Sequence, residues 1–215
     1  MPLLPLVPNI LEGSAFLVPP THERQTTLFS CQFCGFDAAG WQVPFQDPET
    51  GKAGSSCVLC SLVLRLDRPR IDEELALIWL PEMSQAAVNA VARSLHGLFF
   101  AHGEAPSPAL RPHGETARMR AAWFFWQSLL QRQAIAKERF GSDRPSDIGQ
   151  VLASVAPLIF NRRSKLLSGL RLLPLGHVYQ GGQDHYPRLL ASYLKTQKQA
   201  GQGIRGTVET VPSAS

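Results

Sequence analysis

Cys31-Gln32-Phe33-Cys34 and Cys57-Val58-Leu59-Cys60 contain all four cysteines of this 215-residue chain. Two Cys-x-x-Cys pairs are the spacing at which two tight turns offer four thiolates to one tetrahedral ion, and a closed set of four sulfur ligands leaves no coordination position for water or substrate. The expectation is a structural site for one Zn2+ ion, with Cys31, Cys34, Cys57 and Cys60 as ligands. The 22 residues between Cys34 and Cys57 suit a short strand-turn-strand excursion that returns to the metal. The competing reading is a pair of redox Cys-x-x-Cys motifs, or two disulfides in an exported protein.

Working outward, the N-terminal Met1-Pro2-Leu3-Leu4-Pro5-Leu6-Val7-Pro8 has no basic leader, and its three prolines break what would be a signal-peptide core. No uninterrupted apolar run approaches the roughly 18 residues that a spanning helix requires. The chain reads as cytoplasmic and soluble, without membrane insertion, in a compartment where thiols stay reduced and available to a metal. With 44% hydrophobic residues it can bury a sizeable core. The net charge of +4 is unevenly spread: residues 1–104 carry 6 Lys/Arg against 11 Asp/Glu, and residues 105–215 carry 15 against 6. An acidic cysteine-bearing half joined to a basic half points to oriented binding to a charged partner, protein or nucleic acid, or to solvated faces alone.

Three regions follow from the pattern: an N-terminal zinc-binding region over 1–80 with its knuckle at 31–60, a helical region over 81–199 packed on it, and a flexible tail over 200–215. In the first, Ser14 to Pro19 reads as a short strand, Trp41 to Phe45 alternates like a half-buried strand, Asp47 to Gly51 is turn chemistry, and Ser61 to Leu66 opens a helix. Leu75 to Leu80 reads as a buried strand. Beyond it, Ser84 is an N-cap, and Val88, Val91, Ala92, Leu95, Leu98 and Phe99 recur at helical steps. The longest helix is expected from Thr116 to Phe140, stopped by Gly141, with Arg132, Lys137 and Arg139 near its negative end. Further helices are expected from Ser146, from Pro157 to Leu170, and from Tyr186 to about Gln199.

Two cysteine pairs flanking a strand pair resemble the treble-clef and HNH-nuclease type of zinc scaffold. Such a nuclease needs a histidine at the end of the second strand to activate water, and further ligands for a catalytic divalent ion. No histidine occurs between His22 and His96, and Gln42-Val43-Pro44-Phe45-Gln46 occupies the place of the base. Glutamine takes no proton near neutral pH, and Asp37, Asp47 and Glu49 form no obvious replacement. His96, His102, His113, His177 and His185 share no ligand spacing. Gly201, Gly203 and Gly206 match a dinucleotide loop by accident, since no strand precedes them.

Two further features invite a partner. Trp123-Phe124-Phe125-Trp126 places four consecutive rings on one helix, where successive residues turn by about 100°. Most are expected in the core, and at least one faces a neighbouring element or a partner. Arg118, Arg120, Arg132, Lys137, Arg139, Arg144, Arg162, Arg163 and Lys165 could track a phosphate backbone, without the interleaved exposed aromatics of dedicated single-strand binders.

In order along the chain, Cys31-Gln32-Phe33-Cys34-Gly35-Phe36, Cys57-Val58-Leu59-Cys60, Ile78 to Gln85, Gln131 to Ile135, Glu138 to Gly141, Ser146 to Gln150 and Leu170 to Pro174 together resemble the IcmJ/DotN family of type IVB secretion and conjugation systems. The likeness spans roughly Cys31 to Pro174. It implies an α+β fold, a small HNH-like zinc knuckle with short strands packed against helices, without nuclease activity. It also implies a cytoplasmic adaptor of the coupling complex, recruited to the inner membrane through partners and bridging the coupling ATPase to other coupling-complex proteins. Residues 1–30, the connection around Ala105–Gly114 and everything after Pro174 carry no clear likeness. The alternatives are a zinc-containing nucleic-acid-binding protein and a residual HNH endonuclease.

Overall fold

The computed structural model describes residues 3–10, 28–46, 51–112 and 116–206, with side chains to Thr196. The expected strand over Ser14–Pro19, most of the Asp47–Gly51 turn, and the residues beyond Gly206 lie outside the described residues.

Around the cysteines the elements are short. Strand β1 (Leu28–Ser30) pairs antiparallel with β2 (Asp37–Ala39), and the turn between them carries Cys31 and Cys34. That turn closes because the Gly35 N–H donates to the Cys31 carbonyl at 2.8 Å and the Cys31 N–H donates to the Phe36 carbonyl at 2.9 Å. Gly35 has φ +66°, a conformation that costs glycine nothing. Strand β3 (Val43–Gln46) pairs antiparallel with β4 (Ala53–Ser56). From β4 the chain turns through Cys57, an extended N-cap at ψ 159°, into α1 (Val58–Val63), every residue of which is buried. The two cysteine pairs thus flank a strand pair that leads into a helix.

Helix α2 (Ile71–Glu74) runs directly into β5 (Leu75–Trp79), the buried strand expected from the sequence. Its partner is β6 (Leu170–Pro174), antiparallel, in a register that sets Leu75 against Pro174 and Trp79 against Leu170. A strand turns alternate residues to opposite faces. Leu75, Leu77, Leu170 and Leu172 face the core built around the cysteines, whereas Ile78 and Leu173 face a second core with Val88, Phe99, Met119 and Trp126. The β5–β6 ribbon therefore lies between two apolar clusters, and residues on either side of position 80 share one sheet.

The helices follow their caps. Helix α3 (Gln85–Ala101) begins where the Ala87 N–H donates to Ser84 Oγ at 3.2 Å. Helix α4 (Ala117–Phe140) begins where the Met119 N–H donates to Thr116 Oγ1 at 3.2 Å, and it ends at Gly141 with φ +76°. Helix α5 (Pro145–Ser154) starts on its proline. The single basic helix expected over Pro157–Leu170 is instead two short ones, α6 (Pro157–Asn161) and α7 (Arg163–Leu166), followed by β6. The backbone at Arg162 (φ −95°, ψ 4°) breaks the helix. The Leu170-Arg-Leu-Leu-Pro run is claimed by the ladder with β5, a pairing that no local periodicity announces. A two-residue hairpin, β7 (Tyr179–Gln180) with β8 (Gln183–Asp184), precedes α8 (Tyr186–Gly206).

Buried polar groups tie these elements together. Glu74 is fully buried and paired with Arg68 through Nη2–Oε1 at 2.5 Å and Nε–Oε2 at 2.7 Å. The Tyr179 N–H also donates to Glu74 Oε1 at 2.6 Å, and Arg68 donates to the Tyr179 carbonyl at 2.6 Å. A buried charge is tolerated only when its lone pairs are met in this way. The result fixes the start of β5 to the β7–β8 hairpin.

Candidate metal centre

The turn after β1 supplies Cys31 and Cys34, and the start of α1 supplies Cys57 and Cys60. Their four sulfurs lie within 4.8 Å of one another. None is bonded to another, and Cys34 Sγ stands 3.8 Å from Cys57 Sγ. A disulfide requires about 2.05 Å. Zinc–sulfur bonds of about 2.3 Å in a tetrahedron place neighbouring sulfurs about 3.8 Å apart. The donor set therefore fits one tetrahedral thiophilic ion. Among the described residues it is the one group of three or more His, Cys, Asp or Glu side chains that could share an ion.

The thiols perturb one another strongly. Donation from Cys34, then Cys57 and Cys60, holds Cys31 well below the usual thiol range. Cys57 and Cys60 are pushed the other way, first by contact with Cys31 and Cys34 and then by burial. Four thiolates at this spacing repel one another in a low-dielectric surrounding, and a divalent cation removes that repulsion.

The positions examined for nuclease chemistry are occupied otherwise. Gln42 donates to Ser55 Oγ, Gln46 Nε2 donates to the Gly51 carbonyl at 3.1 Å, and Asp37 accepts from Ser30 Oγ. Asp47 and Glu49 lie outside the described residues.

The histidines stay apart from the cysteines. His96 is fully buried, its Nδ1 2.7 Å from Tyr186 Oη and its ring edge-on to Trp126. His102 Nδ1 is 2.8 Å from the Leu98 carbonyl, His177 Nδ1 is 2.8 Å from Asp184 Oδ2, and His185 Nε2 is 3.3 Å from the Gln180 carbonyl. His113 lies outside the described residues.

Several of the cations considered for phosphate are engaged within the chain. Arg132 pairs with Glu82 at 3.1 Å, Lys137 with Asp143 at 3.4 Å and Arg144 with Asp72 at 2.9 Å. The Arg139 guanidinium lies 4.3 Å above the Trp79 ring, and that of Arg163 lies 4.3 Å above Phe160. Of the four consecutive rings on α4, Trp126 is fully buried and Trp123 half-buried, while Phe124 and Phe125 are 55% and 45% exposed.

Sequence reasoning missed the polar stripe that α3 turns toward the cysteines. Gln85, Asn89 and Arg93 recur at four-residue steps, and Asn89 Nδ2 lies 3.4 Å from Cys60 Sγ. The signal was present as polar residues at i, i+4 and i+8 beside the apolar face of the same helix.

No family model matches the chain. It is similar to the type 4 apparatus protein DotN of Legionella pneumophila, 26% identical over 160 residues that cover 70% of this chain and 69% of that protein. No helix among the described residues is long and apolar enough to cross a membrane. An α+β fold, four clustered cysteines and this similarity agree with the chain's resemblance to the IcmJ/DotN family.

Proposed function

We propose that the protein is a non-enzymatic, zinc-stabilised adaptor of a type IV secretion or conjugation coupling complex, bridging the coupling ATPase to other components on the cytoplasmic side of the membrane. The observation that carries this reading is the similarity to DotN over 70% of the chain. In it, Cys31, Cys34, Cys57 and Cys60 hold one Zn2+ that supplies rigidity and no reaction, because four thiolates close its coordination sphere. Residues 1–80 form the zinc-bearing region and residues 81–199 the helical region that offers partner surfaces. The exposed rings of Phe124 and Phe125 on α4 support a protein partner, since large aromatics at an accessible face are common interface anchors. The intramolecular pairing of Arg132, Lys137, Arg139, Arg144 and Arg163 weighs against a basic track for nucleic acid.

Co-purification with the coupling ATPase of the same system tests the reading, with crosslinks mapped to the regions around Trp79 and Trp123. Recovery of the protein apart from that ATPase in every preparation would remove the adaptor role. A salt titration separates the nucleic-acid alternative, because a protein that neutralises several phosphates loses affinity steeply between about 50 and 200 mM salt. No cleavage is expected when DNA is incubated with magnesium or manganese.

A further inference from the structure

Helix α3 turns two different faces to its surroundings. Val88, Ala92 and Phe99 enter the second core, whereas Gln85, Asn89 and Arg93 point toward the cysteine cluster and the β5–β6 ribbon. Asn89 is fully buried, and among the described residues its side-chain contacts belong to one chain of bonds. Its Nδ2 lies 3.4 Å from Cys60 Sγ, and its Oδ1 accepts from Gln85 Nε2 at 3.0 Å. Gln85, 5% exposed, completes the chain on the backbone of β6: Nε2 donates to the Leu172 carbonyl at 2.7 Å, and Oε1 accepts from the Leu172 N–H at 2.8 Å. Four residues beyond Asn89, Arg93 Nη1 lies 3.9 Å from Cys34 Sγ. Its guanidinium carbon sits 3.7 Å above the Phe36 ring, which limits where the cation can swing.

A divalent ion with four thiolates carries a net charge of −2, and here two of the sulfurs belong to residues with no exposed surface. A buried charge of that size is stable only if donors and cations outside the ligand set offset it. One N–H on Cys60 and one guanidinium beside Cys34 have the chemistry to do so, and both come from a single helix. We propose that α3 supplies the outer shell of the metal centre: Asn89 and Arg93 offset the charge on Cys60 and Cys34 and set the affinity for the ion, and Gln85 fixes Asn89 by anchoring it to β6. This rests on the four-cysteine zinc reading. It adds that occupancy of the knuckle is linked to the β5–β6 ribbon, which borders both cores.

The test measures zinc affinity of the full chain by competition with a chromophoric chelator, together with the absorption spectrum of the cobalt-substituted protein. Asn89→Leu keeps the branched shape and removes the donor. Arg93→Gln removes the charge, and Arg93→Lys restores it. Outer-shell substitutions weaken metal binding roughly 10- to 100-fold, and that range is expected for Asn89→Leu and Arg93→Gln, with Arg93→Lys recovering most of the loss. The cobalt–thiolate charge-transfer band should move to lower energy when a sulfur loses its hydrogen bond. Affinities within about twofold of the parent and an unchanged cobalt spectrum would overturn the proposal while leaving the zinc site standing. A parent protein that takes up neither zinc nor cobalt would remove both. If Asn89→Leu does not fold, the half-buried Arg93 pair of variants decides alone, because loss and recovery of charge at one position is not a consequence of misfolding.

Discussion

Among the described residues from Leu28 to Val63 no strand exceeds four residues and the one helix has six, whereas α3 and α4 run for 17 and 24 residues. The two regions bury apolar surface by different means. Two-stranded ribbons of this length are marginal alone in water, so the cysteine region leans on α1, wholly buried, and on the core it shares with β5, β6 and α8. The helical region has caps, length and a core of its own around Phe99 and Trp126. In the proposed reading, the difference is that the cysteine side adds metal chemistry to its packing and the helical side relies on packing alone. It also makes the comparison breakable.

The largest effect should come from the sulfurs. Structural zinc in small domains contributes an apparent binding free energy on the order of 10–16 kcal/mol that is coupled to folding. Cys34→Ser is therefore expected to lose zinc by elemental analysis and to become protease-sensitive between Leu28 and Val63 before α4 is cut. A metal-free variant with the parent's digestion pattern would show that the short strands hold without the ion.

Phe99→Ala attacks the other side. Truncating a fully buried phenylalanine costs about 3–5 kcal/mol. Because β5 and β6 border both cores, the knuckle should release its metal in the same urea transition in which helix signal is lost. Zinc retained after the helices have melted would mean that the two regions unfold as separate units.

Much of this layout was legible in the sequence, and the parts that were not share a cause. The cysteine spacing, the Ser84 cap, the Gly141 stop and the apolar run of β5 are local signals, each contained in a few residues. Strand β6 was hidden, because Leu170 to Pro174 is too short for its periodicity to separate strand from helix, and its partner lies nearly a hundred positions earlier. The same holds for Asn89 and Arg93, whose spacing is visible on α3 but whose targets, Cys60 and Cys34, are far away in the chain. Sequence reading picked out the four cysteines that the fold brings together and missed the helix that leans on them. His96 gave no signal of its burial, since its surroundings are assembled from α4 and α8.

His96 offers a smaller effect and a sign. Burial first, then the charge of His177, lowers its pKa to about 3 from an unfolded value near 6.5. The unfolded chain takes up a proton below about pH 6.5, and the folded chain does not until about pH 3. Stability is therefore present above pH 6.5 and falls as the pH drops through that window, by at most about 1.4 kcal/mol per unit from this group. Nuclear magnetic resonance of the ring should show it neutral at pH 5. A ring that titrates near 6.5 would mean that the space between Trp126 and Tyr186 admits water.

The smallest effect on stability, and the most telling for function, is expected on the exposed side of α4. Successive residues of a helix diverge by about 100°, so burying Trp126 completely forces Phe124 and Phe125 off the core-facing side, where they stand 55% and 45% exposed. Replacing both by serine removes no buried contact of the size that Trp126 makes. Exposed positions of this kind shift stability by roughly 0.5 kcal/mol or less each. If these rings anchor a protein partner, the same pair of changes should weaken its capture at least about tenfold, since an anchor aromatic is worth about 2 kcal/mol or more at an interface. Calorimetry of the free chain and a pull-down with the coupling ATPase read the two quantities separately. Unchanged capture with unchanged stability would move the partner surface off α4, and a large loss of stability would mean that the rings serve the fold after all.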